Sequence, residues 1–386
     1  MSATTKNQTY YPQLDALRFF AILGVMVVHF WHPRQLPWLL RDLDWGGLGV
    51  RLFFVLSGFL ISGILLDSRR MAEESQRSPF YFIRQFYIRR FLRIFPIYYL
   101  VIFIGLLVNL PPAREVWLWL LTYTSNVYIT FNNTWIGSFG HFWTLAVEEQ
   151  FYFLWPWLIL FLPRKWLVPS MLCAIAIGPV YRTIAYINFP FDIGAMDFKA
   201  GTLTPGSLDS LAIGSLLALL FRSELKDESL NKILSYLVLP AGMAIYLVSL
   251  ILYHYQIQPI VFFTLGDLGT AMMFAWLIGA ARSGFKGPIG KLLEFKLLIY
   301  LGKITYGIYV YHNFVPPILV AIFGRLGIPF HTPGLLSFIV SGTVSVLIAS
   351  LSWRLFELPI NSLKNRFPYA ARPAALSPAP DLVKVE

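Results

Sequence analysis

The apolar residues of this chain are gathered into stretches about as long as a bilayer is thick, and no other feature constrains its fold so strongly. A helix crossing the hydrocarbon core needs roughly 20 apolar residues. In lipid its backbone polar groups must be satisfied within a helix or a closed barrel. Stretches of this kind fall near 14–32, 48–66, 94–110, 143–162 and 166–181, then near 206–221, 233–252, 260–281, 304–322 and 335–356. The segment 116–131 is short and half polar, which reads as an interfacial or re-entrant piece on the outer side. With 57% hydrophobic and only 13% charged residues, against about 25% charged in soluble domains, an ordinary soluble fold is excluded. The expectation is an all-α polytopic integral membrane protein with about ten transmembrane helices.

Lys and Arg set its orientation. With the N-terminus inside, most of the 31 basic residues fall in the cytoplasmic loops, as the positive-inside rule requires. One loop alone carries Arg69, Arg70, Arg77, Arg84, Arg89, Arg90 and Arg93. Treating 116–131 as a full span would invert everything after it. The formal net charge of +11 therefore points to an anionic lipid leaflet as partner and not to nucleic acid. Both termini are expected in the cytoplasm, with an N-terminal segment 1–13, a membrane domain 14–359 and a Pro/Ala-rich, disordered tail 360–386. The opening MSATTKNQTYYPQLDALRFF lacks a basic n-region and a cleavage site, so the first span is expected to be retained. No soluble catalytic domain is apparent, which leaves any chemistry to the membrane core. The lone Cys173 excludes an internal disulfide and a thiolate metal cluster, and no metal site or tightly bound cofactor is read. Oligomeric state is not legible.

Ionisable groups at membrane depth are costly and mark function. In LDALRFFAILGVMVVHF, Arg18 and His29 stand eleven residues apart, on one helix face and separated by about 16 Å along the axis. A lone membrane histidine can also be a packing residue. Arg51 lies near the outer end of the second span, where it either snorkels to headgroups or faces inward to an anionic group. In GHFWTLAVEEQFYFLWP, His141, Glu148, Phe151 and Tyr152 share one stripe. Glu148 is favoured over Glu149, which points about 100° away. Asp209, Asp267, His312 and Asn313 sit at comparable depth, suggesting one polar cavity open to the outer side; Asp209 can equally be a helix-start residue. On the inner side, FYIRRFLRIFPIYYL clusters Arg89, Arg90 and Arg93 before the third span. Such a cluster suits phosphate oxygens or anchors the chain on anionic lipid.

These segments resemble the membrane-bound acyltransferase-3 family, integral membrane enzymes that move acyl groups from coenzyme A thioesters to carbohydrate or other hydroxyl acceptors. The resemblance runs from about Leu14 to Pro359, on LDALRFFAILGVMVVHF, VRLFFVLSGFLISG, FYIRRFLRIFPIYYL, FWTLAVEEQFYFLWP, TYGIYVYH and SWRLFELP in order. It implies that His29 is the catalytic histidine, preceded by the family's arginine at Arg18. It associates Arg90 and Arg93 with the cytoplasmic acyl-coenzyme A donor, and matches Glu148, Phe151 and Tyr152 to the Glu-x-x-Phe-Tyr motif. Thr144 stands where serine is usual, a change that keeps the hydroxyl. Many relatives carry a fused extracytoplasmic esterase-like domain; this sequence reads as the stand-alone form.

The implied reaction brings the donor's phosphates to the Arg90/Arg93 cluster, with Arg89 beside it, and its thioester up to His29. An acceptor hydroxyl descends from the outer side, past residues such as Arg51, His141, Tyr152, Asp209 and His312. Neutral His29 then acts as general base or is itself acylated, with Arg18 on the donor arm and Glu148 orienting His29 or binding the acceptor. Acetyl is the expected acyl group, from acetyl-coenzyme A. The rival class is a transporter or proton-coupled permease using the same intramembrane charges. Against it, the two halves show no internal repeat.

Overall fold

The computed structural model describes residues 10–31, 43–188 and 200–369. Among these residues the regular structure is entirely helical. Eight helices among the described residues are long and apolar enough to cross a membrane: α1 (Pro12–Phe30), α2 (Trp45–Ser75), α3 (Pro79–Leu107), α7 (Arg164–Asn188), α9 (Asp227–His254), α10 (Pro259–Ser283), α12 (Thr305–Arg325) and α13 (Leu335–Arg366). The other two expected spans are present as helices but fall short of that standard. One, α6 (Phe142–Phe161), is diluted by Glu148, Glu149 and Gln150; the other, α8 (Leu208–Leu220), has only 13 residues. Most of α8 is buried among its neighbours, so its length is set by the protein around it and not by lipid. The protein is an all-α, multi-pass protein of the cell membrane.

Segment 116–131 forms two short helices, α4 (Ala113–Leu121) and α5 (Ser125–Asn132). They break at Tyr123, whose φ of 53° ends the first helix. Neither can cross a membrane. The last carbonyls of α4, which no helical N–H can reach, are met by side chains of α3. Tyr98 donates to the Leu120 carbonyl at 2.7 Å and Tyr99 to that of Leu121 at 2.9 Å.

At the centre lies α2, against α1, α6 and α8. Small residues bring these backbones together, as membrane helix pairs without a solvent-driven term require. A Cβ on Gly24 of α1 would stand 2.7 Å from the Trp45 carbonyl, and one on Gly49 of α2 would collide with the Ala21 carbonyl. The α2–α8 crossing is built the same way, with Gly58 on the Leu211 carbonyl and Gly214 on that of Val55. On its other side α1 is held by the short helix α11 (Lys296–Lys303), whose Gly302 meets the Asp15 carbonyl.

The arginines between α2 and α3 divide by partner. Arg69 caps α6, donating to the Ile159 and Leu162 carbonyls at 2.8 and 2.7 Å. Arg89 donates to the Lys364 and Phe367 carbonyls at 2.9 and 3.1 Å and lies over Tyr369. Arg90 and Arg93 form no ion pair with a described residue.

Candidate active site

Arg90 and Arg93 face a cavity of about 220 Å³ between α1, α2, α3, α6 and α12, which Arg18, Glu148 and Tyr152 also line. Arg93 is exposed at its arginine-rich end. The Arg90 guanidinium lies 4.1 Å over the Tyr152 ring, a cation–π contact, and its buried Nε has no hydrogen-bond partner. A polar chain fixes the adjoining wall. Tyr152 donates to the Ser57 hydroxyl at 2.9 Å, and Ser57 donates to the Glu148 carboxylate. Arg18 also lines the cavity while paired with Asp15 at 2.6 Å. Four cationic groups (Arg18, Arg90, Arg93 and Lys303) and two carboxylates (Glu148 and Glu149) therefore border one space. Its electrostatics favour an anion at the arginine-rich end.

The far wall is Tyr309 of α12. Its hydroxyl bonds Thr144 and donates to the His141 carbonyl at 2.9 Å. Its own carbonyl accepts from Nδ1 of His312 at 2.6 Å, and Nε2 of His312 stands 3.0 Å from Nδ1 of His29. A carbonyl cannot donate, so His312 carries its proton on Nδ1 and offers a lone pair at Nε2. That lone pair accepts a hydrogen bond from Nδ1–H of His29, and in the neutral imidazole the lone pair of His29 is then on Nε2. His141 adds a third imidazole, its ring 4.7 Å from that of His312 and its Nε2 3.3 Å from the Val310 carbonyl. His29 itself is exposed, at the last turn of α1.

The residues singled out from sequence thus fall into four places. Arg18, Arg90, Arg93, Glu148 and Tyr152 share the arginine-lined cavity. His29, His141 and His312 gather behind its Tyr309 wall. Arg51 and Asp209 belong elsewhere: Arg51 pairs with Asp267 and donates to Ser207 at 2.9 Å, while Asp209 lies fully buried against Arg182 at 2.6 Å. Arg89 is held apart from Arg90 and Arg93 by the Lys364 and Phe367 carbonyls at the end of α13. Sequence reading missed Arg182, placed just past the end of a span, and Tyr309, one of 20 tyrosines. The signal for Arg182 was present: Asp209 and Asp267 at membrane depth require a cation, and Arg51 alone serves only one.

A family model described as an acyltransferase domain matches residues 11–354. The chain belongs to the acyltransferase-3 family. It is 28% identical to the peptidoglycan O-acetyltransferase OatA of Listeria monocytogenes, over 95% of this chain and 58% of that one. It is 27% identical to the O-acetyltransferase OatA of Staphylococcus aureus, over 91% and 57% of the two chains. With the putative peptidoglycan O-acetyltransferase YrhL of Bacillus subtilis it shares 26% identity, over 93% and 56%. The chain therefore spans under three fifths of the length of these relatives. No solved structure matches it.

Proposed function

We propose that this protein is a membrane O-acyltransferase that carries an acetyl group from acetyl-coenzyme A, bound from the cytoplasmic side, to a hydroxyl of a cell-surface polysaccharide. The observation that carries this reading is the chain of hydrogen bonds from the Tyr309 carbonyl through His312 to His29, behind the Tyr309 wall of a cavity that Arg90 and Arg93 also line. In this reading the donor's phosphates meet Arg90 and Arg93 by charge-assisted hydrogen bonds. The pantetheine arm runs along the cavity past Glu148 and Tyr152 toward Tyr309. The about 16 Å between the levels of Arg18 and His29 is a length such an arm can cover.

The chemistry follows from the tautomer. Nε2 of His29 takes the proton of the acceptor hydroxyl as its oxygen attacks the thioester carbonyl. The C–S bond breaks, the new C–O ester bond remains on the acceptor, and the imidazolium returns its proton to the departing thiolate. His312 holds the ring through Nδ1, so that Nε2 is the nitrogen that acts as base. Glu148, through Ser57, fixes Tyr152 beneath Arg90 and keeps that guanidinium aimed into the cavity. Acetyl and a polysaccharide acceptor are chosen because the relatives are named O-acetyltransferases, two of them of peptidoglycan. Purified His29→Ala protein, given acetyl-coenzyme A and a glycan acceptor, should lose acyl transfer by at least the 10²–10⁴-fold typical of a lost general base. Turnover at the wild-type rate would overturn the assignment.

A further inference from the structure

A second cavity of about 150 Å³ lies between α2, α7, α9 and α10 and shares no lining residue with the first. We propose that it binds one sugar ring of the acceptor glycan, a subsite that holds the polysaccharide while a neighbouring hydroxyl reaches His29. The proposal rests on the reading above that the acceptor is a carbohydrate.

The cavity is built around fixed polar groups. Arg51 is held by Asp267 and Ser207. Arg182, 1% exposed, donates to the Gly206 carbonyl at 2.5 Å and the Thr264 carbonyl at 2.9 Å, and pairs with Asp209 and more distantly with Asp267. Thr264 sits in a π-type turn of α10, Phe262–Gly266; such turns widen the helix and recur at functional sites. Tyr246 of α9 lines this space. Its side chain is 6% exposed, and its hydroxyl, buried, has no hydrogen-bond partner among the described residues. A buried O–H left unmet is costly, so the position is explained by a partner that arrives with a ligand.

The chemistry of that ligand can be read from the walls. The two arginines of the lining, Arg51 and Arg182, are matched by Asp44 and Asp267 of the lining and by Asp209, buried against Arg182, so the site has no surplus positive charge to hold a phosphate. Carboxylate and tyrosine oxygens beside guanidinium N–H groups suit a ligand carrying many hydroxyls, each both donor and acceptor. Phe262 and Phe263 add apolar surface for the face of a ring. The volume is below the roughly 300–1,000 Å³ of drug-sized pockets, which limits the occupant to about one ring. The exposed rim, Asp44, adjoins the end of α1. A Cβ on Gly46 would lie 3.3 Å from Val28 and 3.8 Å from Asp44, and Val28 directly precedes His29.

The test uses purified full-length protein and chitobiose, a soluble disaccharide of N-acetylglucosamine, titrated calorimetrically without donor. Wild type is expected to bind it. Tyr246→Phe, which removes only the unmet hydroxyl, should bind at least tenfold more weakly. Gly201→Leu, which grows from open space in the cavity wall, should abolish binding, and both variants should keep wild-type affinity for acetyl-coenzyme A. No binding by wild type, or equal affinity in all three proteins, would overturn the subsite. Sugar binding without acyl transfer would instead sink the reaction and leave the subsite standing. Transfer with an unchanged acceptor KM in both variants would do the reverse.

Discussion

A carbonyl oxygen accepts hydrogen bonds and never donates them, and from that asymmetry the protonation of two imidazoles follows. Tyr309 fixes His312, and His312 fixes His29. Replacing His312 with Ala should therefore lower kcat on the order of ten- to a hundredfold, the scale on which groups that orient an imidazole act. The donor KM should stay unchanged, as steady-state kinetics would show; a raised KM at wild-type kcat would mark His312 as a binding residue instead. Arg90 and Arg93 should separate the other way. Their joint replacement by Ala should raise the donor KM about tenfold or more while kcat changes little. For wild type that KM should also rise with salt, because exposed charges are screened, and in the double variant this dependence should flatten. A donor KM unmoved by either change would leave the pair as a lipid anchor.

At the scale of elements, the site depends on where α1 is held. Gly24 and Gly49 let α1 and α2 touch backbone to backbone, which fixes the height of His29 at the end of α1. A methyl at Gly49 meets a carbonyl that cannot rotate aside. Gly49→Ala should therefore destabilise the protein by about 1–3 kcal/mol, as overpacking does, seen as a lower melting temperature in detergent. Gly342→Ala in α13, where nothing lies within 4 Å, should leave the melting temperature equal or higher. How far these elements are legible in sequence depends on what terminates them. Long apolar runs announce α1, α2 and α3, because the bilayer sets their length. The break at Tyr123 carries no Gly or Pro and is set by the Tyr98 and Tyr99 hydroxyls, contacts invisible along the chain. Arg18 and His29 are readable from spacing alone, since one helix carries both. The Arg51–Asp267–Arg182–Asp209 network is not, since four helices contribute to it and pairing across helices has no period. Tyr246 is hidden for a related reason: what marks it is a buried hydroxyl without a hydrogen-bond partner, a state it shares with Tyr123 and one that no pattern along the chain announces.

For the whole molecule, the arginine-rich end and the His29 end must face opposite sides of the membrane if donor and acceptor are to arrive separately. In intact cells, after Cys173→Ser, a cysteine at Gln76 should be shielded from a membrane-impermeant maleimide. A cysteine at Asn133, between α5 and α6, should be labelled. The reverse pattern would place the arginines outside, away from any cytoplasmic thioester. The two cavities are walled in part by the same helix: Ser57 of α2 lines one and Arg51, less than two turns away, lines the other. Any displacement of α2 on filling one cavity is thus felt in the other. Thermodynamic linkage makes that influence mutual, so each substrate would alter the other's affinity by the same factor. Reciprocity constrains the two equilibria alone and leaves the order of addition to kinetics.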